Sequence, residues 1–208
     1  MSFQGLFTFC FNARFTMFFQ AWLTACSPFA SKSKAGDGAE HMTNAIRILG
    51  LDPGLRRTGW GLVAVDGARL IHIAHGVICP GETLPFAERL LALFVGIEAV
   101  IAEHAPHEAA VEETFVTANG SSTLKLGHAR AAAMIAPARA GLPVAEYAAK
   151  VVKKAVVGAG GADKAQVAFM IARILPAAAG VSADAADALA VAVTHAHARR
   201  ARRIGAAA

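Results

Sequence analysis

Ile46-Arg47-Ile48-Leu49-Gly50-Leu51-Asp52-Pro53-Gly54 is the stretch from which the rest of the chain is read. Residues 45–52 alternate apolar and other side chains, the period of a strand, and Pro53-Gly54 then predicts a type II turn. Thr58 to Val65 predicts a second strand. Asp66-Gly67 is a hairpin signal, and Arg69 to Cys79 alternates again as a third strand. A half-buried strand normally excludes charge, yet the first one ends in Asp52.

Further along, Thr83 predicts the cap of a helix running to about His104, with Phe86, Leu90, Leu91 and Phe94 at helical spacing. Glu108 to Glu112 is a short β run, and Leu142 to Tyr147 a further buried strand. Ser121 to Ala140, Lys164 to Leu175, and Ser182 to about Arg203 predict helices, with flexible breaks at 158–161 and 177–180. The order is β-β-β-α-β-α-β-α-α. Three hairpin-linked strands followed by βαβ units imply an α/β fold, a five-stranded mixed sheet flanked by helices, which is the ribonuclease H-like arrangement.

At 208 residues the chain suits one well-buried domain. With 55% hydrophobic and 17% charged residues its bulk is globular. The net charge of +5 favours an anionic partner. Cys10, Cys26 and Cys79 form no spaced set, which argues against a disulfide framework or a zinc site. No apolar run reaches about 18 residues, so no membrane-spanning helix is expected.

Residues 1–41 differ in composition from the rest. Eight of the 12 phenylalanines lie there, and the first acidic residue is Asp37. Leu23-Thr24-Ala25-Cys26 resembles a lipoprotein cleavage box, but Arg14 alone supplies charge ahead of a short, interrupted apolar run. A transit peptide is a second reading. The third is a disordered leader or mis-assigned start, with Met42 opening the domain at 42–208.

Four carboxylates carry the chemistry. Asp52 ends the first strand, Glu112 ends Ala109-Ala110-Val111, and Asp184 and Asp187 open an alanine-rich helical stretch. Residues three apart on a helix face the same side, so Asp184 and Asp187 act together. Each has a plainer reading: first-turn acids favour the helix macrodipole, an Asp can open a Pro-Gly turn, and of Glu112 and Glu113 one alone can face a site. Jointly they predict an all-oxygen pocket of the kind Mg²⁺ prefers, suited to two-metal phosphodiester hydrolysis. Unit charges about 4 Å apart repel by roughly 4 kcal/mol at an effective dielectric of 20, which a divalent cation would relieve.

Leu51-Asp52-Pro53-Gly54-Leu55-Arg56-Arg57-Thr58-Gly59-Trp60-Gly61 resembles the opening motif of RuvC, the bacterial Holliday-junction resolvase family. Val111-Glu112-Glu113-Thr114-Phe115, Leu124 to Arg130, Tyr147 to Val167, and Asp184-Ala185-Ala186-Asp187-Ala188-Leu189-Ala190 resemble the later motifs, in order, over about residues 45–197. The resemblance implies a cytoplasmic, homodimeric endonuclease of ribonuclease H-like fold. Such enzymes nick two like strands of a four-way DNA junction, leaving 5′-phosphate and 3′-hydroxyl ends, and act with the RuvA–RuvB branch-migration motor. It also implies two Mg²⁺ ions per subunit, with Mn²⁺ able to substitute, and carries Asp52, Glu112, Asp184 and Asp187 over as metal ligands and catalytic residues. Lys153 and Lys164 match basic positions near the site, where they would hold phosphates; a solvated helix face is the alternative. Phe115 follows the second motif and either stacks on an unpaired base at the crossover or packs in the core. His195, His197 and Arg199 to Arg203 read as a basic, solvated helix end that could face DNA.

Rival functions remain distinct in what they predict. A non-catalytic junction binder would bind without nicking. An actin-like ATP-binding protein shares Asp52-Pro53-Gly54 but needs two large domains, more than the 167 residues from Met42 provide. The related YqgF group shares the opening motif; Asp184 with Asp187, and Tyr147-Ala148-Ala149, favour RuvC.

Overall fold

β1 (Ile46–Asp52) lies at the centre of the sheet because its residues Ile48 to Leu51 are buried on both faces. It pairs antiparallel with β2 (Thr58–Asp66) and parallel with β4 (Glu108–Glu112). β3 (Arg69–Ile78) and β5 (Val144–Tyr147) form the edges, giving the order β3-β2-β1-β4-β5. This is the expected five-stranded mixed sheet. The computed structural model describes residues 45–113 and 119–205, with the backbone alone at 203 and 204, so the expected leader 1–41 and Phe115 lie outside the described residues.

Among the described residues five helices flank the sheet: α1 (Phe86–His104), α2 (Gly120–Arg139), α3 (Ala149–Val157), α4 (Lys164–Ile174) and α5 (Ala183–Gly205), with a 3-10 turn at Pro176–Ala178. α1 and α2 pack on each other, and α5 lies directly on β1, β2 and β4 beneath α3 and α4. Between sheet and outer helices α5 is buried on all sides from Ala188 to Ala196, which explains its run of alanines and valines. Ile48, Val63, Leu189, Val191, Val193, Val152, Val167 and Ile171 form this core.

Several expectations are corrected. Gly54 does not take the positive φ that a type II turn demands. Its N–H instead donates to Thr58 Oγ1 at 3.1 Å, and the Thr58 hydroxyl donates back to the Gly54 carbonyl at 2.8 Å. Glycine is needed there because a Cβ would collide with the Arg57 carbonyl oxygen. Thr83 does not cap α1; Pro85 occupies the cap position, since a residue preceding proline is disfavoured in helical geometry and Leu84 cannot begin the helix. The buried stripe of α1 is Leu93, Gly96, Ile97 and Val100, while Phe86 and Leu91 of the expected stripe are exposed. α3 was not among the helices expected.

Candidate active site

Two neighbouring parallel strands set the first pair of carboxylates. Leu51 and Val111 are partners in the β1–β4 ladder, so Asp52 and Glu112 follow them side by side at the carboxyl ends of their strands. Adjacent strands lie about 4.8 Å apart, which makes the two side chains neighbours on the face that carries α5. The N-terminal turn of α5 comes over the same end of the sheet. A Cβ on Gly50 would lie 2.6 Å from the Ala192 backbone nitrogen, and one on Gly59 would lie 2.6 Å from the Asp184 carbonyl carbon. Only bare backbone at these strand positions lets the helix descend far enough for Asp184 and Asp187 to meet the strand carboxylates.

The electrostatics report this crowding. Burial first, then the charges of Glu112 and Asp187, push the Asp52 carboxyl up to about 7 against the pull of Lys164. Burial first and Asp187 second push Glu112 up to about 7, against Lys164 and Lys153. The helix pair is neutralised differently. Arg57 Nε donates to Asp184 Oδ2 at 2.5 Å, and Lys164 Nζ donates to Asp187 Oδ2 at 3.0 Å. The hydrogen bond to Asp187 holds the Lys164 ammonium above its ordinary pKa. Lys164 is the first residue of α4, a position the helix macrodipole disfavours for a cation. The capping box of Asp163 and Gln166, together with Asp187, offsets that cost.

Asp184 is not used as a helix cap. Ser182 accepts from the Ala185 N–H at 3.4 Å through its hydroxyl and from the Ala186 N–H at 2.9 Å through its carbonyl, leaving the Asp184 side chain to Arg57. Among the described residues, no group of three His, Cys, Asp or Glu stands so that it could hold a metal ion as the side chains lie. The donor set nonetheless fits a hard divalent cation. It is all oxygen; two carboxylates already hold cationic side chains, and the other two are driven toward protonation by burial and, after it, by shared negative charge.

Lys153 on α3 and Lys164 on α4 therefore both border the carboxylates, each close enough to oppose protonation of Glu112. Arg57 is a site residue to which the sequence reading gave no role. Its place beside Asp52 in sequence was the one available signal, and its contact with a residue 127 positions away is tertiary.

His195 is corrected outright: it is buried, not solvated. Its Nδ1 pairs with the Tyr147 hydroxyl and its Nε2 with Glu108 Oε2, each at 2.8 Å, while Arg199 Nε donates to Glu108 Oε1 at 2.8 Å. Glu108 begins the strand that Glu112 ends, and Tyr147 is the ladder partner of Glu112. The network thus ties α5 to the strands that carry the acids. A cavity of about 490 Å³ lined by Glu108, Val144, His195, Arg199 and Arg202 lies beside this network, away from the carboxylates.

Residues 48–195 match the family described as crossover junction endodeoxyribonuclease RuvC. The RuvC proteins of Caulobacter vibrioides and Maricaulis maris are similar, at 70% identity over 157 residues and 60% over 167. The matches cover 76% and 80% of this chain and 93% and 100% of those relatives. Thermus thermophilus RuvC, solved in complex with a Holliday junction substrate, superposes with a TM-score of 0.69 at 35% identity, covering 75% of this chain and 96% of that one. The yeast mitochondrial Holliday junction resolvase Ydc2 shares the fold, with a TM-score of 0.55 at 14% identity over 73% of this chain and 78% of that one.

Proposed function

This chain belongs to the RuvC family of crossover junction endodeoxyribonucleases and resolves Holliday junctions, and we propose that Asp52, Glu112, Asp184 and Asp187 are the carboxylates with which it cuts. The observation that carries the proposal is the side-by-side placement of Asp52 and Glu112 under the first turn of α5. Nuclease chemistry in this family is metal-dependent, and the ion is read as Mg²⁺, two per subunit, with Mn²⁺ able to substitute. Held by these four carboxylates, the ions would supply an activated water and charge stabilisation at the leaving 3′-oxygen.

The chain's own residues do the rest. Asp52 and Glu112 take a proton near neutrality when the site carries only its own charges; a divalent cation would displace that proton and hold both as anionic ligands. Lys164 and Lys153 flank them and would hold phosphate oxygens, giving salt-dependent junction binding. Phe115, by its place after Glu112 in sequence, would stack on a base unpaired at the crossover. The product ends are read as 5′-phosphate and 3′-hydroxyl.

A homodimer would present two such sites to two like strands. Phe86 and Leu91 on α1 and Leu124 and Ile135 on α2 support it: they are exposed apolar side chains on the two helices that pack together outside the sheet. Association with the RuvA–RuvB motor and a cytoplasmic setting are read from the family. No described helix is long and apolar enough to cross a membrane.

The test is incubation of labelled four-way junction and linear duplex with Mg²⁺. Paired nicks at symmetric positions are expected in the junction and not in the duplex. Asp52→Asn, Glu112→Gln, Asp184→Asn and Asp187→Asn should each bind the junction without cutting it. Any of the four that nicks at a near-normal rate drops out of the catalytic set.

A further inference from the structure

The two aspartates of α5 are both taken up by side-chain cations, and the two cations differ in where they come from. Lys164 stands on a capped helix, whereas Arg57 stands in the short loop between β1 and β2, four residues after Pro53. The loop's backbone is fixed by the reciprocal bonds between Gly54 and Thr58, and Thr58 is fully buried. The Arg57 side chain is more than half exposed, and its hydrogen bond to Asp184 brings it to the acids. An anchored backbone beneath a solvent-exposed guanidinium is the arrangement of a residue that can change partner without refolding its loop.

We propose that Arg57 is an exchangeable counterion of the cleavage site: it holds the Asp184 carboxylate until a divalent cation takes that oxygen, and then donates to a phosphate oxygen of the bound DNA strand. This rests on the reading that Asp184 is a metal ligand. A carboxylate oxygen that accepts from a guanidinium offers the same lone pairs a cation needs, so the two compete. Exposed ion pairs are weak, which makes the exchange easy. A guanidinium freed at the rim of the site has a planar fork of donors matched to phosphate, the anion carried by the DNA backbone that the site must admit. The exchange also explains why, as the side chains lie, no three described acids ring one ion: Asp184 is turned to Arg57 and Asp187 to Lys164.

The experiment uses the full chain and two readouts that need no cleavage. Mn²⁺ binding without DNA is measured by titration calorimetry for wild type, Arg57→Ala and Arg57→Gln. Junction binding is measured in Ca²⁺ across a salt series. Loss of the competitor should tighten Mn²⁺ binding by about two- to fivefold in both variants. Junction affinity should fall by about five- to tenfold, and the slope of log K against log salt should shrink by roughly 0.9, the value of one phosphate contact. Arg57→Lys should keep the salt slope while losing most of the affinity gain of the fork. Unchanged Mn²⁺ affinity in Arg57→Ala and Arg57→Gln overturns the counterion role, and unchanged junction affinity and slope overturn the phosphate role. Asp184→Asn separates the underlying reading: if it binds Mn²⁺ as wild type does, Asp184 is not a ligand and the exchange falls with it.

Discussion

Gly59 lies so close beneath Asp184 that a methyl group on it would sit 2.6 Å from the Asp184 carbonyl carbon. Gly59 is also the ladder partner of Asp52. One bare backbone position therefore sets how near the helix acids come to the strand acids.

Gly59→Ala should displace the first turn of α5 and reduce nicking by about a hundredfold, the cost of roughly 1 Å of misplacement at a reacting centre. Because the helix remains anchored by its buried length from Ala188 to Ala196, the melting temperature should fall by only a few degrees. Single-turnover nicking and a thermal melt on the same preparation check this. Parallel losses of activity and fold would show that the position matters for stability alone.

The raised carboxyls make a pH prediction with a definite sign. Asp52 and Glu112 titrate near 7 in the folded chain, above their ordinary values of 3.8 and 4.5, so between about pH 4 and 7 the folded state binds more protons than the unfolded one. Stability of the metal-free protein should fall as pH rises through that window and level off above it. Asp52→Asn should flatten the fall. Melts in EDTA from pH 5 to 8 decide the matter, and equal slopes for wild type and variant would show that Asp52 is not one of the raised carboxyls.

His195→Phe should cost about 1–3 kcal/mol, since Glu108 and the Tyr147 hydroxyl each lose a partner in a half-buried setting. Burial raises the Glu108 carboxyl, but its hydrogen bonds to Arg199 and His195 outweigh this and hold it below its ordinary value. That part of the stability is present above the ordinary carboxyl range and is lost on acidification through the lowered folded value. Denaturant unfolding of His195→Phe and Glu108→Gln should give similar losses, and the double variant should lose less than their sum. Additive losses would mean the two residues act separately.

The first three strands were legible because alternation over seven to ten residues, ended by turn residues, has few other interpretations. α3 was missed for the opposite reason. Nine residues with Val152 and Val156 as the buried positions make too short a pattern, and its helicity comes from packing on α5. The four acids stood out because carboxylates at the ends of apolar runs are rare, so they could be singled out from residue type and order. What sequence alone could not decide is which side chains stand against which. Arg57 meets Asp184 across 127 positions, and His195, polar and near a basic helix end, is buried by β4 and β5. Local periodicity is a property of neighbours along the chain, whereas the charge each acid meets depends on strands and a helix brought together by the sheet register and by two glycines that let backbones touch.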